Sequence, residues 1–393
     1  MKVGIIGYGK MGRNIFTLFG DGPMSVTVLD VDAEEMERNS RRIEKRFRRA
    51  VKEGTLSEAD LPERLAAVRF TTSWDELAGC DLVIESVFEN LDVKIDVLRR
   101  AEAIVSPRAV LTTNTSSLSI DRMARELVDP SRFCGFHFFH PIQLTTIVEI
   151  ITGQRTSPRI VEFLRGVSRQ INRTPLVVGN HCGSAINVAL ALHTVEALYV
   201  LEQGIMLPSQ IDEIAGRFGR LGPCEGLDVV GIQFFTEILQ RTLDAFPFGH
   251  TIPELCHKLV RDGRFGKYAN AGIYLYRDDR PVDDAREYYL NPGQTHTRPG
   301  VRCDASGLLE RLLFSIYYTL LRLAALGVAD LGDLCLGISD LIGLKLDPLA
   351  EMRKLGETGL REVFERLNRE LGGRFDPAPL APVLAKLDGS LGE

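Results

Sequence analysis

The segment that most constrains the fold is a glycine-rich turn near the N-terminus. It follows the apolar run Val3–Ile6 and has the spacing GxGxxG. In a strand–turn–helix unit the first glycine permits a tight turn, the second lets a pyrophosphate approach the backbone, and the third allows the helix to pack closely on the strand. The helix N-terminus then offers free N–H groups to the pyrophosphate. We therefore predict that this turn binds a dinucleotide through Gly7, Gly9, Lys10, Met11 and Gly12.

A second apolar run, Val26–Leu29, is followed by Asp30, which lies 18 residues beyond Gly12. An acid at about this spacing binds both hydroxyls of the adenosine ribose, and its charge repels a 2′-phosphate. The cofactor that this pattern favours is therefore NAD, not NADP. An ordinary glycine turn with a capping aspartate is the alternative.

Candidate strands and helices alternate over the first 180 residues, and the rest of the chain is mostly helical in pattern. Alternation of this kind predicts an α/β, Rossmann-like, doubly wound domain, followed by α-helical C-terminal domains. Within the helical part, the pattern of residues 189–228 recurs at residues 314–347, an offset of about 123. We therefore expect a nucleotide-binding domain at 1–182, a first helical domain at 183–294 and a second, related one at 295–393.

The composition is that of a soluble globular protein, with 45% hydrophobic and 25% charged residues. A net charge of -6 argues against a nucleic-acid partner. Seven scattered cysteines without a CxxC pair indicate reduced thiols and no metal site. Because no signal-peptide core and no run of about 18 apolar residues is present, we expect a cytoplasmic protein with no membrane partner.

Several motifs together resemble the 3-hydroxyacyl-CoA dehydrogenase family. The segment at 135–141, GFHFFHP, resembles the family's GxHFFNP, and the segment at 114–120, NTSSLSI, resembles its NTSSLxI. Residues 147–149 are similar to its LVE, residues 85–94 to its ExVxENLxxK, and residues 222–231 to its MGPxxLxDxxGLD loop. The resemblance runs in register to about residue 235, and the remainder looks like a second copy of the C-terminal domain.

The resemblance implies a role for each matching residue. His137 would be the catalytic base, Glu149 would orient it, and Ser116 and Asn187 would hydrogen-bond near the reacting oxygen. The residues that the resemblance places around the NAD are Asp30, Glu89, Lys94 and Asn114. The implied reaction is oxidation of an (S)-3-hydroxyacyl-CoA to the 3-oxoacyl-CoA.

This chemistry suits these residue types. Oxidising a secondary alcohol removes a hydride from carbon, which needs a cofactor, and a proton from oxygen, which an imidazole can take at neutral pH. A carboxylate on the second ring nitrogen fixes the tautomer and stabilises the imidazolium. Without the flanking motifs, a buried structural pair would be the favoured interpretation of His137 and Glu149, and Ser116 would fit a helix cap.

Four features depart from the family pattern or stay open. His140 stands where the family has Asn, and Gln143 and Thr145 replace the proline and methionine that usually follow. The family's GFxxNR reads GSAINV at 183–188. These changes suggest an unusual acyl group, polar, cyclic or dicarboxylic. The helix around 41–52 carries seven basic residues, which would contact coenzyme A phosphates or form a solvated face.

Two alternative functions use the same scaffold. One is a dehydrogenase of a free hydroxy acid, of the gulonate or carnitine type, which dependence on the CoA moiety would distinguish. The other is a non-catalytic relative that binds NAD or acyl-CoA. The assembly is expected to be a homodimer or a monomer in which the doubled helical region replaces the partner.

Overall fold

A computed structural model gives the fold for residues 1–20, 22–179, 184–246, 248–291 and 304–388. The chain divides into two compact units, Met1–Gly183 and Ser184–Glu393. The predicted domain boundaries at 182/183 and 294/295 fall outside the described residues. Division of the second unit into two helical domains stays a prediction.

The first unit is built on one eight-stranded sheet with the order β3-β2-β1-β4-β5-β6-β7-β8. Strands β1 to β6 are mutually parallel. Since the order reverses between β1 and β4, the carboxyl ends of these strands form the crevice in which doubly wound folds bind ligands. The strands are β1 (Lys2–Ile6), β2 (Ser25–Leu29), β3 (Val68–Thr71), β4 (Leu82–Glu85), β5 (Val110–Thr113), β6 (Phe133–Phe138), β7 (Ile147–Thr152) and β8 (Thr174–Gly179).

The last two strands reverse direction. Strand β7 pairs antiparallel with β6, and β8 is parallel to β7. The doubly wound fold is confirmed, but the sheet is mixed at this edge. The reversal matters for the site because the start of β7 lies at the carboxyl end of β6.

Six helices cover the described part of the first unit. Helix α1 begins at the glycine-rich turn, and α2 begins behind Asp32, whose carboxylate caps it by accepting the N–H of Glu35. On α2 the buried residues Met36, Ile43 and Phe47 form an apolar stripe against the sheet. The helices are α1 (Lys10–Gly20), α2 (Ala33–Lys52), α3 (Leu61–Ala66), α4 (Leu91–Ile104), α5 (Ile120–Ala124) and α6 (Pro158–Gln170).

The second unit is helical apart from a two-stranded hairpin, β9 (Leu275–Arg277) and β10 (Arg280–Val282). Its central helix, α7, has the length and apolarity of a membrane span, but 89% of it is buried, as in a core helix. The described helices are α7 (Ala185–Glu202), α8 (Pro208–Ala215), α9 (Pro223–Val230), α10 (Ile232–Ala245), α11 (Glu254–Arg261), α12 (Arg286–Tyr289), α13 (Ala305–Ala325), α14 (Leu331–Ile342), α15 (Pro348–Glu370) and α16 (Ala381–Asp388).

The helix that the pattern predicts over residues 229–246 corresponds to α10 but starts too early. Helix α10 begins at Ile232, and Val229 and Val230 are instead the last residues of α9. Gly231 between them has φ +102°, which breaks the helix because L residues rarely adopt that angle. At the related position of the repeat, Gly356 (φ +66°) interrupts α15 in the same way.

The two helical segments contact each other through equivalent parts. Helix α7 packs along α13, its counterpart in the repeat. The loops that follow α8 and α14 exchange two backbone hydrogen bonds, Arg220 N–H to Ile342 O and Lys345 N–H to Phe218 O, each 2.8 Å. Reciprocal contacts of this kind are expected if the two segments are related as the sequence repeat predicts.

Candidate active site

The glycine-rich turn has the geometry of a pyrophosphate cradle. Gly7 has φ +95°, and a Cβ on it would lie 2.6 Å from the carbonyl oxygen of Ser86. A Cβ on Gly12 would lie 1.9 Å from the carbonyl oxygen of Gly7. Gly9 has no protein atom within 4 Å of its Cβ position, so its backbone is open to a ligand. Lys10 and Met11 begin α1, whose N-terminus therefore faces this space.

Asp30 joins the end of β2 to this turn. Its carboxylate accepts the N–H of Tyr8 at 2.5 Å and that of Val31 at 2.7 Å. The side chain is half-buried. Because each carboxylate oxygen accepts more than one hydrogen bond, these contacts fix the orientation of Asp30 and still leave lone pairs for ribose hydroxyls. The cradle and the fixed acid fit NAD.

His137 and Glu149 lie directly opposite each other on β6 and β7. Side chains of directly opposed residues share a face of the sheet. The distance from Nδ1 of His137 to Oε2 of Glu149 is 2.9 Å, and the two residues are 5% and 0% exposed. The antiparallel pairing of β6 with β7 brings the two side chains together. The ring of Phe139 packs edge-on against that of His137, with centroids 4.6 Å apart.

The residues after β5 form a compact turn, here called the Asn114–Ser117 turn. The side-chain oxygen of Asn114 accepts the N–H of Phe138 at 2.9 Å, which ties the turn to the end of β6. One oxygen of Glu89 accepts the hydroxyl of Thr115 at 2.5 Å, the N–H groups of Ser116 and Ser117 at 3.2 and 3.3 Å, and the hydroxyl of Ser117 at 3.0 Å. Asn114 therefore positions β6 here, and Ser116 is held by its backbone.

Burial raises the pKa of Glu89, but the Lys94 ammonium and hydrogen bonds from Thr115 and Ser117 outweigh burial, so the pKa lies below its usual range. Lys94 itself is almost fully buried, with its Nζ 2.7 Å from Oε1 of Glu85 and 3.4 Å from Oε2 of Glu89. Thr113, on β5, donates its hydroxyl to the other oxygen of Glu85 at 2.6 Å.

Glu85 opens the segment that resembles ExVxENLxxK, but no role was predicted for it or for Thr113. The signal for Glu85 was available, because it is a carboxylate that ends the otherwise apolar strand LVIE. A charge in such a position is buried and must be paired. We name the three side chains of Glu85, Lys94 and Glu89 the Glu85–Lys94–Glu89 network.

His140, which replaces the family's Asn, is exposed and lies beside α1. Its Nδ1 is 3.2 Å from Nδ2 of Asn14. Partial burial and the charge of Lys10 both lower its pKa. Thr145 is buried at 3% exposure, and its hydroxyl has no hydrogen-bond partner among the described residues. These substitutions change the surroundings of the His137–Glu149 pair without touching that pair.

Asn187 belongs to the second unit, at the start of α7. Its N–H donates to the hydroxyl of Ser184, which caps the helix. The side chain is half-buried. A role for Asn187 at the reacting oxygen stays a prediction. The beginning of the GSAINV segment, Gly183, lies outside the described residues.

The strand order and the glycine-rich turn define a dinucleotide-binding α/β protein. Two family models match consecutive parts of the chain: the NAD-binding domain of 3-hydroxyacyl-CoA dehydrogenase at residues 2–182, and the C-terminal domain of the same family at 183–276. The chain therefore belongs to the NAD-dependent 3-hydroxyacyl-CoA dehydrogenase family. Its cofactor is NAD.

Individual relatives agree with this family. A probable 3-hydroxybutyryl-CoA dehydrogenase of Deinococcus radiodurans is 31% identical over 280 residues, which are 70% of this chain and all of the relative. The crystal structure of 3-hydroxybutyryl-CoA dehydrogenase from Escherichia coli K12 covers 99% of both chains with TM-score 0.83; at 23% identity it shows the fold. The chain spans about half of the multifunctional beta-oxidation relatives that it matches, such as 53% of a protein from Cucumis sativus.

A further solved structure is a 5-formyl-3-hydroxy-2-methylpyridine 4-carboxylic acid 5-dehydrogenase, described as an NAD+-dependent dismutase. It is 25% identical and covers 71% of this chain and 91% of its own, with TM-score 0.55. The same scaffold therefore occurs in an enzyme that is named for a substrate without coenzyme A.

Proposed function

We propose that this chain catalyses the reversible oxidation of an (S)-3-hydroxyacyl-CoA to the 3-oxoacyl-CoA, with His137 as general base oriented by Glu149. The observation that carries the proposal is the buried contact of 2.9 Å between these two side chains, at the carboxyl edge of a sheet whose glycine-rich turn fits NAD.

The proton path follows from the chemistry of the pair. A carboxylate only accepts hydrogen bonds, so Glu149 requires the proton of neutral His137 to be on Nδ1. The lone pair of Nε2 is then available to accept the proton of the substrate hydroxyl. As that proton arrives, the imidazole becomes positive, and the charge of Glu149 beside it stabilises the imidazolium.

Two further groups support this step. Bound NAD supplies the acceptor for the hydride that leaves the C3 carbon. Ser116 is half-buried, and its hydroxyl makes no hydrogen bond to another described residue, so that hydroxyl can donate to the substrate oxygen. Its backbone is fixed through Glu89, which limits the reorganisation needed. Asn187 is the second proposed donor to that oxygen.

The substrate class within the family is proposed from the departures. Gln143, Thr145 and His140 make the wall after β6 more polar, and the segment at 183–188 lacks the family's phenylalanine and arginine. A polar, cyclic or dicarboxylic acyl group would suit such a wall better than a plain fatty chain, because buried polar groups need partners. A substrate panel in which a straight-chain 3-hydroxyacyl-CoA is turned over best would contradict this part.

Recognition of coenzyme A by α2 is also a proposal. Of its basic residues, Arg41, Arg48 and Arg49 pair with glutamates four residues away on the same helix surface. Such exposed pairs are weak, so phosphate groups can displace them. A reduced salt dependence of the KM for acyl-CoA after charge reversal on this helix would support the proposal.

A second candidate is a dehydrogenase of a free hydroxy acid. The observation in its favour is the relative named for a pyridine carboxylic acid. Turnover of the free acid with a kcat/KM at or above that of the thioester would establish it. Activity that depends on the CoA moiety would exclude this second candidate.

For the assembly, we propose that the second helical segment takes the place of a partner subunit. The support is the packing of α7 on α13 and the reciprocal hydrogen bonds of Arg220 and Lys345. Gel filtration with light scattering tests this proposal. A monomer of 43.7 kDa is expected, and a stable dimer contradicts it.

The test of the catalytic proposal is NADH absorbance with purified protein, NAD and a panel of 3-hydroxyacyl-CoA thioesters and free hydroxy acids. Turnover of thioesters, but not of the corresponding free acids, is expected. Absence of turnover with every thioester, in a protein that binds NADH, would contradict the proposed reaction.

A further inference from the structure

The Glu85–Lys94–Glu89 network contains one residue to which neither the family resemblance nor the chemistry above gives a role. Glu85 ends β4 and is 0% exposed. Its Oε1 accepts the N–H of Val87 at 2.6 Å and the ammonium of Lys94 at 2.7 Å, and its Oε2 accepts the hydroxyl of Thr113 at 2.6 Å. A carboxylate without solvent contact is tolerated only when charge and hydrogen bonds compensate for the loss of water.

Lys94 is equally constrained. Its side chain is 2% exposed, and its Nζ meets Oε1 of Glu85, the carbonyl oxygen of Val87 at 3.2 Å and Oε2 of Glu89 at 3.4 Å. An ammonium has three donors, and these three acceptors match them. The contact with Glu85 is the shortest, so the buried carboxylate, not Glu89, determines where the ammonium lies.

The third member connects the network to the reacting groups. Glu89 accepts four hydrogen bonds on one oxygen from the Asn114–Ser117 turn, including the N–H of Ser116. Thr113 makes a parallel connection, because its hydroxyl donates to Glu85 and accepts the N–H of Thr115 at 3.3 Å. Glu85 therefore reaches the turn by two routes, through Lys94 and Glu89 and through Thr113.

We propose that Glu85 is a positioning residue of the active site: it fixes the Lys94 ammonium and the Asn114–Ser117 turn, so that Glu89 and Ser116 meet NAD and substrate in a single arrangement. Glu85 and Lys94 are both too deeply buried to contact either ligand in this arrangement. The inference rests on the proposed function, since it assumes that Glu89 and Ser116 face the ligands.

The physical reason lies in the charge balance. Two carboxylates share one ammonium, so its single positive charge is divided between them. If Glu85 loses its charge, Lys94 and Glu89 become a one-to-one pair, and Coulomb attraction shortens their contact. Glu89 then moves away from the four donors of the Asn114–Ser117 turn, and the backbone N–H of Ser116 loses its acceptor.

The test compares Glu85→Gln, Lys94→Met and the double variant. For Glu85→Gln we expect the Kd for NADH, measured by fluorescence per folded molecule, to rise about tenfold to hundredfold, and kcat to fall by a similar factor, the scale of a lost hydrogen bond to a charged group. Because Glu85 acts largely through Lys94, the double variant should bind NADH within about twofold of Lys94→Met. The proposal would be overturned if the rise in the Kd for NADH in the double variant equalled the product of the rises in the two single variants.

The matched control is Glu102→Gln. Glu102, on α4, is also a buried carboxylate; it accepts the N–H groups of Val128 and Asp129 and lies 3.5 Å from Arg132, away from the proposed site. Glu102→Gln should lower Tm and leave the Kd for NADH unchanged. An equal rise in Kd in this variant would show that Glu85 contributes only to stability.

Failures of the two proposals are separable. If the wild-type protein does not bind NADH, the proposed function fails. If the wild-type protein binds NADH and Glu85→Gln binds it equally well, only the role of Glu85 fails. Should Glu85→Gln not fold, the double variant is still compared with Lys94→Met, and a Kd for NADH that differs between these two variants by much more than twofold overturns the proposal.

Discussion

The substitution Glu149→Gln separates the charge of the carboxylate from its shape. Gln has nearly the same volume and can still accept the Nδ1 proton of His137 through its oxygen, so the tautomer can be retained. What disappears is the negative charge 2.9 Å from Nδ1. Two unit charges about 4 Å apart interact by about 4 kcal/mol at an effective dielectric constant near 20. Since the imidazolium is only partly formed in the transition state, we expect the activation free energy to rise by between about half of this value and the full value.

That energy corresponds to a fall in kcat of about 30- to 1,000-fold at 1.36 kcal/mol for each factor of ten. The assay is steady-state NADH absorbance with a saturating thioester. The Kd for NADH should stay within about twofold of wild type, because the carboxylate is completely buried and does not contact the cofactor cradle. A kcat within threefold of wild type would refute the orienting and charge-stabilising role of Glu149.

Three further predictions follow from local geometry. Gly12→Ala should lower the free energy of unfolding by at least about 2 kcal/mol and abolish NADH binding, because the added Cβ would lie 1.9 Å from the carbonyl oxygen of Gly7. An unchanged Tm would contradict this prediction. Gly9→Ala should leave Tm unchanged, because no protein atom lies within 4 Å, yet weaken NADH binding about tenfold or more by crowding the pyrophosphate. Burial lowers the pKa of His193 to about 4, so the unfolded chain, with the ordinary value near 6.5, binds the proton first as the pH falls. The stability that depends on neutral His193 is therefore fully present above about pH 6.5, and about 3 kcal/mol of it is lost by pH 4. Between these pH values, the free energies of unfolding of wild type and His193→Asn, measured in urea, should diverge by that amount. Parallel pH profiles of the two proteins would contradict the assignment.

The sequence predicted elements well where the signal is local. The helix predicted around residues 41–52 is part of α2, whose buried residues have helical spacing and whose N-terminus Asp32 caps. The break at Gly231 was missed, although a glycine inside a helical pattern is a recognised warning. Strand β3 has little sequence signal, because only one of its four residues, Phe70, is buried at the edge of the sheet.

The remaining features depend on tertiary contacts and could not be predicted from the sequence. Nothing in Ile147–Thr152 encodes the direction in which β7 runs, since direction depends on the partner strand. The family motifs identified His137 and Glu149, but the direct cross-strand opposition of the two is a property of the folded sheet. Likewise, the sequence placed Glu89 and Lys94 on the cofactor, whereas their attachment to Glu85 depends on three elements meeting at the edge of the sheet.

The central claim is that His137 is the general base of an NAD-dependent oxidation of a 3-hydroxyacyl-CoA. The most direct measurement is the pre-steady-state and steady-state formation of NADH from a 3-hydroxyacyl-CoA by wild type and His137→Ala, with the Kd for NADH determined for both. We predict that kcat falls about a hundredfold or more while the Kd for NADH changes little, the result expected for loss of a general base. Turnover by His137→Ala within a few-fold of wild type would contradict the account.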